Sequence, residues 1–394
     1  MQDSTHNPKL TLIVASIAHS FSHMFMLLYA TVVLVINIEF NLTYSELQWL
    51  SVPGFIMFGL AAFPAGWLGD RWSATGMLVI FFIGLGFSAI LTGFANDRVT
   101  LLVGLTLIGT FGAIYHPVGI AWLVKHSVNR GRALGINGVF GNIGTASAAI
   151  VAGFLADFFG WRYAFFVPGI LSLIFGFLLL FILSRGFLKD VSTDAVSNPV
   201  TSSKDIKRAF FALFITVIMV GLIFQSTSVG LPKIFSDRLD IGSGAFGPGA
   251  LVALVYFLAA GAQLIGGEAA DRYPQRRVYL YAQLFQIPIV LIAFITINYG
   301  LVLLAVLMVS LNMGAQPVEN ALVAKYTPTQ WRSRMYGIKF VLTLGVTSVG
   351  VALVPVLSGI MGSLDLLFIA IALFAFIAFF GAWLLPRDKK SIVS

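Results

Sequence analysis

An all-α integral membrane protein, with twelve transmembrane helices in two pseudo-symmetric six-helix bundles, is the fold class this sequence predicts. Three observations lead there. The chain of 394 residues is 58% hydrophobic and only 10% charged, with a mean hydropathy of +0.94, whereas soluble domains are about a quarter charged. Its apolar runs are long enough, at roughly 20 residues each, to cross about 30 Å of hydrocarbon. Three short motifs of the first half return in the same order in the second.

Backbone groups in lipid must be hydrogen-bonded within their own segment, so these runs form helices. They lie at 10–37, 46–69, 74–95, 98–124, 132–158 and 161–184, then at 208–231, 245–270, 275–297, 299–324, 332–358 and 363–386. The first is too long for a signal peptide and lacks a small-residue cleavage site, so it stays as a span. In the third, GLGFSA reads as small-residue helix packing. The fourth and tenth each carry an internal proline, Pro117 and Pro317, which frees a carbonyl and bends the axis. The segment 185–207 is polar and reads as a linker between one bundle over 1–184 and another over 208–394.

Of 24 Lys and Arg, 19 fall on the side that holds this linker. Arg98, Arg162, Lys233 and Arg238 fall on the other, and Lys339 falls within a helix. The positive-inside bias predicts both termini and the linker in the cytoplasm, with a bacterial inner membrane as the expected location. The same bias accounts for the net charge of +8, so basicity is no argument for nucleic acid. The chain has no cysteine, which excludes disulfides and thiolate metal sites.

The internal repeat is the most informative feature. YHPVGIAWLVK at 115–125 aligns with AQPVENALVAK at 315–325, GWLGDRW at 66–72 with GEAADRY at 267–273, and RGRALGIN at 130–137 with RSRMYGIK at 332–339. Duplicated helical halves around a central pathway are a secondary-transporter design, with the substrate site where the repeats meet.

At these landmarks the chain resembles the major facilitator superfamily. The superfamily's loop signature, roughly G-x-x-x-D-R-x-G-R-R/K, reads GWLGDRWSAT after the second helix and GEAADRYPQRR after the eighth. The resemblance implies gating loops at Gly66, Asp70 and Arg71, and at Gly267, Asp271, Arg272, Arg276 and Arg277. These would make ion pairs and helix-end contacts that release as the halves rock. The first copy lacks the closing basic pair, and the fourth helix lacks the arginine of many drug exporters. AHSFSHMF, GAIYHPVGIA and GWRYAFFVPG are most similar to the fosmidomycin-resistance-like efflux branch. That resemblance departs at His23, where an acid is common, and in the fifth helix, which lacks the Gly-Pro of the antiporter motif.

Candidate pathway residues follow from polarity at depth. Glu319 is the one acidic residue placed well inside a span, and Lys339 the one basic residue. Each sits roughly 10 Å from the linker-side boundary, at 1.5 Å per residue. Intramembrane charges cost at least about 2.5–3.5 kcal/mol and so face a cavity or each other. Two readings stay open: a structural ion pair between the tenth and eleventh helices, or a proton- or substrate-coupled carboxylate with Lys339 as competing cation or anion anchor. Their first-half equivalents are Gly119 and Asn137. His19 and His23 share a helical face four residues apart, and imidazole changes charge near neutrality. The alternative for both is a neutral, hydrogen-bonded ring. His116 holds the repeat position of Gln316, as a cavity corner or a polar kink. Asn312, Gln316 and Asn320 form a polar stripe on one face of the tenth helix; Gln225 lies in the seventh.

The sequence lacks a Walker lysine motif, HExxH and a nucleophile elbow. GSGAFG at 242–247 has no strand before it and is no dinucleotide site. The expectation is a transporter and not an enzyme, moving a small organic compound by alternating access with proton-coupled efflux. The alternatives are import or facilitated movement of an organic anion and, remotely, an intramembrane enzyme. Expected partners are a small-molecule substrate, protons and lipid, with no cofactor, no metal and no nucleic acid, and a functional monomer.

Overall fold

The computed structural model describes residues 7–127, 129–188, 203–327, 338–339 and 341–386. Among them every regular element is helical. Twelve helices are long and apolar enough to cross a membrane: α1 Pro8–Val32, α2 Tyr44–Arg71, α3 Ala74–Gly93, α4 Arg98–His126, α5 Arg132–Phe159 and α6 Tyr163–Ser184, then α7 Lys207–Arg238, α8 Phe246–Arg272, α9 Gln275–Ile295, α10 Gly300–Tyr326, α11 Val341–Met361 and α12 Asp365–Leu384. All twelve expected spans are present. Most of the linker (189–202) and of the third repeat motif's second copy (332–337) lie outside the described residues.

Helix starts are written in the sequence. Asn7 accepts from the Leu10 amide just ahead of Pro8 at the first helical position. Thr43 with Glu46, and Asp97 with Thr100, form reciprocal capping boxes, satisfying amides that a helix leaves unpaired. The first span ends sooner than expected because the chain turns at Val33 and forms a short helix, Asn37–Phe40, on the far side from the linker. Asn41 ends that helix with φ 48°, a left-handed conformation asparagine tolerates.

Close packing relies on small residues. A Cβ on Gly144 of α5 would lie 2.2 Å from the Ser20 carbonyl oxygen of α1. One on Gly109 would lie 1.9 Å from the Gly54 carbonyl oxygen, and one on Gly266 would lie 2.0 Å from that of Gly314. Thus α2 meets α4, and α8 meets α10, through paired glycines. These are corresponding helices of the two halves. Between the halves, α5 packs on α8 and α2 on α11. A Cβ on Gly249 of α8 would lie 2.3 Å from the Ala149 carbonyl oxygen of α5.

Candidate functional site

Deep in the second half, Glu319 and Lys339 meet. The Lys339 Nζ stands 2.7 Å from Glu319 Oε1, and both side chains are almost wholly buried. The Tyr279 hydroxyl of α9 donates to Glu319 Oε2 at 2.5 Å, and Lys339 donates to Asn320 Oδ1 at 2.5 Å. Glu319 is the sole buried carboxylate among the described residues. One ammonium and one phenol therefore compensate a carboxylate that would otherwise be very costly in the interior.

The polar stripe of α10 does not face a single cavity. Asn312 donates to the Val220 carbonyl of α7 at 3.3 Å, Gln316 accepts from Gln263 of α8 at 3.4 Å, and Asn320 serves Lys339. Each residue ties α10 to a different neighbour. Gln225 on α7 is buried, and its Nε2 has no hydrogen-bond partner among the described residues.

The first half brings His19, His23 and His116 together. His19 and His23 on α1 have ring centroids 5.0 Å apart; His116 lies 5.3 Å from each. His116 reaches them because α4 widens into a π-turn over Tyr115–Gly119, a local irregularity frequent at functional positions. The His19 Nδ1 donates to the Asn137 carbonyl at 2.7 Å, while Tyr115 stacks on the His19 ring at 4.9 Å and donates to Asn137 Oδ1 at 2.9 Å. Phe58 of α2 and Phe224 of α7 close the cluster edge-on, with centroids 5.6 Å from His116 and 6.3 Å from His23. Phe224 belongs to the other half, so the cluster sits where the halves meet. Gly141 makes room for it: a Cβ there would lie 2.6 Å from His19 Cε1.

The loop-motif residues lie at helix ends. Asp70 lies 3.6 Å from Lys125 at the end of α4, and Arg71 covers the Trp67 ring at 4.8 Å. Gly66 packs beside Pro117, and Gly267 more loosely beside Pro317. In the second copy Arg272 pairs with Glu268 at 2.5 Å, while Arg276 donates to the Leu385 and Trp383 carbonyls that end α12. Asp271 and Arg277 lie at the α8–α9 turn, where Asp271 is exposed.

The superfamily's sequence profile, described as Major Facilitator Superfamily, matches residues 15–338 and 245–393. The chain belongs to that superfamily. With its twelve apolar helices it is a multi-pass membrane protein of a superfamily of transporters. Among curated relatives, the "Probable nitrate/nitrite antiporter NarK1" of Thermus thermophilus is 28% identical over 280 residues, 66% of this chain and 61% of that one. The "Multidrug resistance protein MdtG" of Proteus mirabilis is 27% identical over 239 residues, 59% of this chain and 60% of that one. These matches span about three fifths of either relative's length. The "Probable nitrate transporter NarT" of Staphylococcus carnosus is 25% identical across 91% of both chains. In structure, an inward-facing, unoccupied bacterial homologue of the human lysosomal transporter Spinster superposes with a TM-score of 0.77 at 14% identity, covering 99% of this chain and 100% of that one.

Two further contacts join the halves of this superfamily member at the ends away from the linker, and sequence reasoning missed both. The Asp157 carboxylate, at the end of α5, accepts from the backbone amides of Ala245 and Phe246 at 2.8–2.9 Å, where α8 begins. It thereby caps a helix of the other half. Ser45 of α2 donates to the Pro355 carbonyl of α11 at 2.8 Å. Neither carries a motif; a carboxylate at a helix end reads in sequence as ordinary solvent-facing polarity. Tyr279 was missed too, since a tyrosine in an apolar run reads as bulk.

Proposed function

We propose that this transporter is a proton-coupled exporter of a small organic compound, with Glu319 as the coupling carboxylate. Its halves span 1–184 and 208–394, joined by the cytoplasmic linker 185–207, with both termini on that side of a bacterial inner membrane. The chain acts as a monomer and as a transporter, not an enzyme. The observation that carries this reading is the buried Glu319–Lys339 pair bridged by Tyr279 and Asn320. A proton on Glu319 cancels the attraction that holds Lys339 and leaves an ammonium buried beside one amide. That state is relieved by rearrangement of α10 against α11 and its neighbours, which links protonation to helix position. The motifs similar to the fosmidomycin-resistance-like branch, and a multidrug resistance protein among the relatives, support export. His19 and His23 are further proton-accepting groups on the pathway in this reading.

A second reading is favoured by one observation. Lys339 is the one buried Lys or Arg among the described residues, and several relatives bear names of nitrate transporters. An anion that competes with Glu319 for Lys339 would make the chain an anion carrier, importing or facilitating.

The deciding experiment is proton movement in proteoliposomes on adding phosphonates, organic anions or cationic drugs. The exporter reading expects a substrate-dependent pH change that Glu319→Gln abolishes while substrate binding survives. Flux of an anion without proton movement, lost in Lys339→Met, would replace it with the carrier reading.

A further inference from the structure

The histidine cluster lies in the first half, apart from the Glu319–Lys339 site, and its geometry supports a second chemistry. The ligand nitrogens of His19, His23 and His116 all lie within 4.8 Å of one another. Around a tetrahedral dication with metal–nitrogen bonds near 2.0–2.1 Å, such nitrogens stand about 3.3 Å apart. The cluster must therefore contract by about 1.5 Å at most, measured against that spacing. His23 can supply this by side-chain rotation, because its ring makes no hydrogen bond among the described residues and is only half-buried.

One of the three ligands has the outer contact that metal sites use. The His19 Nδ1–H is committed to the Asn137 carbonyl, which fixes the tautomer and leaves Nε2 as the nitrogen with a free lone pair. Metal-bound histidines characteristically donate their second ring nitrogen in this way. Two of the ligands come from one helix at i and i+4, and the third from a π-turn that turns it inward. The Phe58 and Phe224 rings form an apolar wall, which lowers the local dielectric and excludes water from the coordination sphere. Three imidazoles select borderline metals over Mg²⁺ and Ca²⁺, which prefer oxygen.

Charge decides what arrives with the metal. Three neutral imidazoles bring no negative charge, and the one buried carboxylate among the described residues is held by Lys339. A bare dication would place two uncompensated charges in a largely apolar interior, which is strongly unfavourable. An anionic ligand in the fourth coordination position removes much of that penalty.

We propose that His19, His23 and His116 form a three-imidazole binding site for a divalent transition-metal ion of the Zn²⁺, Co²⁺ or Ni²⁺ class, carried as a complex with a small anionic ligand. Because Phe224 of the opposite half closes the cluster, the bound complex is cargo at the interface of the halves.

The test is titration of tag-free, detergent-purified full chain with Co²⁺ in excess Mg²⁺, followed by visible absorption. The expected result is one saturable equivalent with the intense bands of low-coordinate Co²⁺. Binding should weaken at least about tenfold in both His116→Gln and His19→Gln, since losing even an outer-shell partner of a metal ligand costs about 10–100-fold. Unchanged elution and melting would show that these conservative variants fold. Glu319→Gln should bind Co²⁺ like the parent, so failure of the proton-coupling reading leaves this site intact and the reverse. Adding acetate or methylphosphonate should shift the bands. No saturable binding, equal competition by Mg²⁺, or binding unmoved by the histidine variants would overturn the site. Bands unmoved by either anion would overturn the claim that the metal travels with an anion. Uptake of the radioactive metal into proteoliposomes should require the anion; retention of bound metal without uptake would overturn its role as cargo.

Discussion

Substituting Glu319→Gln and Lys339→Met, singly and together, measures the pair directly. In the parent the two charges stand 2.7 Å apart, 2–8% exposed. Glu319→Gln removes the carboxylate and leaves Lys339 with Asn320 as its remaining partner among the described residues. Lys339→Met leaves Glu319 with the single phenol of Tyr279. Breaking a buried pair from one side costs about 3–5 kcal/mol, because the other charge is stranded. The double variant strands nothing. It loses the pair but also its desolvation penalty, and replacing both charges by neutral groups of similar size is often nearly neutral in stability. The coupling energy in the cycle should therefore be roughly 3 kcal/mol or more. Denaturant or thermal unfolding in one fixed detergent gives all four stabilities, and proteoliposome transport on the same samples gives activity. If the single losses simply add, with a coupling below about 0.5 kcal/mol, the two groups do not act as a pair and the coupling mechanism built on them fails. Recovered stability with proton coupling still absent in the double variant is the outcome the exporter reading expects.

Other contacts can be tested in the same way. Asp157→Asn weakens the charge-assisted capping of α8, worth about 1–2 kcal/mol, and should raise the population open at the ends away from the linker. Because the chain has no cysteine, spin labels on thiols introduced by Ile38→Cys and Ile360→Cys, both exposed at those ends of the two halves, would report that opening; an unchanged distance distribution would remove the latch. Gly144→Ala should lower the melting temperature, since its Cβ would meet the Ser20 carbonyl at 2.2 Å, an overpacking worth about 1–3 kcal/mol. Gly135→Ala is the control, with nothing within 4 Å, and equal effects would refute the packing argument. Arg162 beside Glu39, with help from the Trp161 N–H, holds the Glu39 carboxyl below its ordinary range. Because the folded value lies below the unfolded one, this pair stabilises at neutral pH, and its contribution fades as acid reaches the lowered folded value. Glu39→Gln should therefore narrow the gap between neutral and acid melting temperatures; an identical gap would refute it.

How much of this was legible beforehand depended on the kind of signal. Spans and repeat were plain because lipid imposes a length and a composition, and duplication preserves motifs such as Pro117 with Pro317. Glu319 and Lys339 stood out because charge at depth is rare, and equal depth on consecutive helices brought them together correctly. His19 and His23 were legible as a pair on one face of α1, but not that His116 packs against them. Nothing in GAIYHPVGIA announces a π-turn, and without that extra residue per turn His116 would not meet α1. The stripe of Asn312, Gln316 and Asn320 was legible as a face, yet its partners sit on α7, on α8 and at Lys339. Periodicity gives a side chain's direction from its own axis and is blind to which neighbour stands there.

The repeat also explains why the two halves carry different chemistry at matching positions. Asn137 and Lys339 correspond, and each ties its helix to the one before: Asn137 to Tyr115 of α4, Lys339 to Glu319 and Asn320 of α10. The tie is shared architecture; its charge is not. Tyr115 explains the neutral version, since a Cβ at Gly119 would lie 2.4 Å from the Tyr115 ring, leaving no space for an acid. In the second half Ala315 stands at the tyrosine's position, so no ring crowds position 319, which carries the acid. The hydroxyl lost from α10 is matched by Tyr279 arriving from α9. Three differences between the halves thus convert a neutral hydrogen-bonded tie into an ionic one, the contact that the exporter reading makes sensitive to a proton. In the proposed proton-coupled exporter that asymmetry leaves one half as the fixed frame, since only one of the two ties is ionic. The triple variant Ala315→Tyr, Glu319→Gly and Lys339→Asn should accordingly give a stable, substrate-binding protein whose transport no longer responds to a pH gradient. Retained proton coupling in that variant would show that the ionic tie is not the switch.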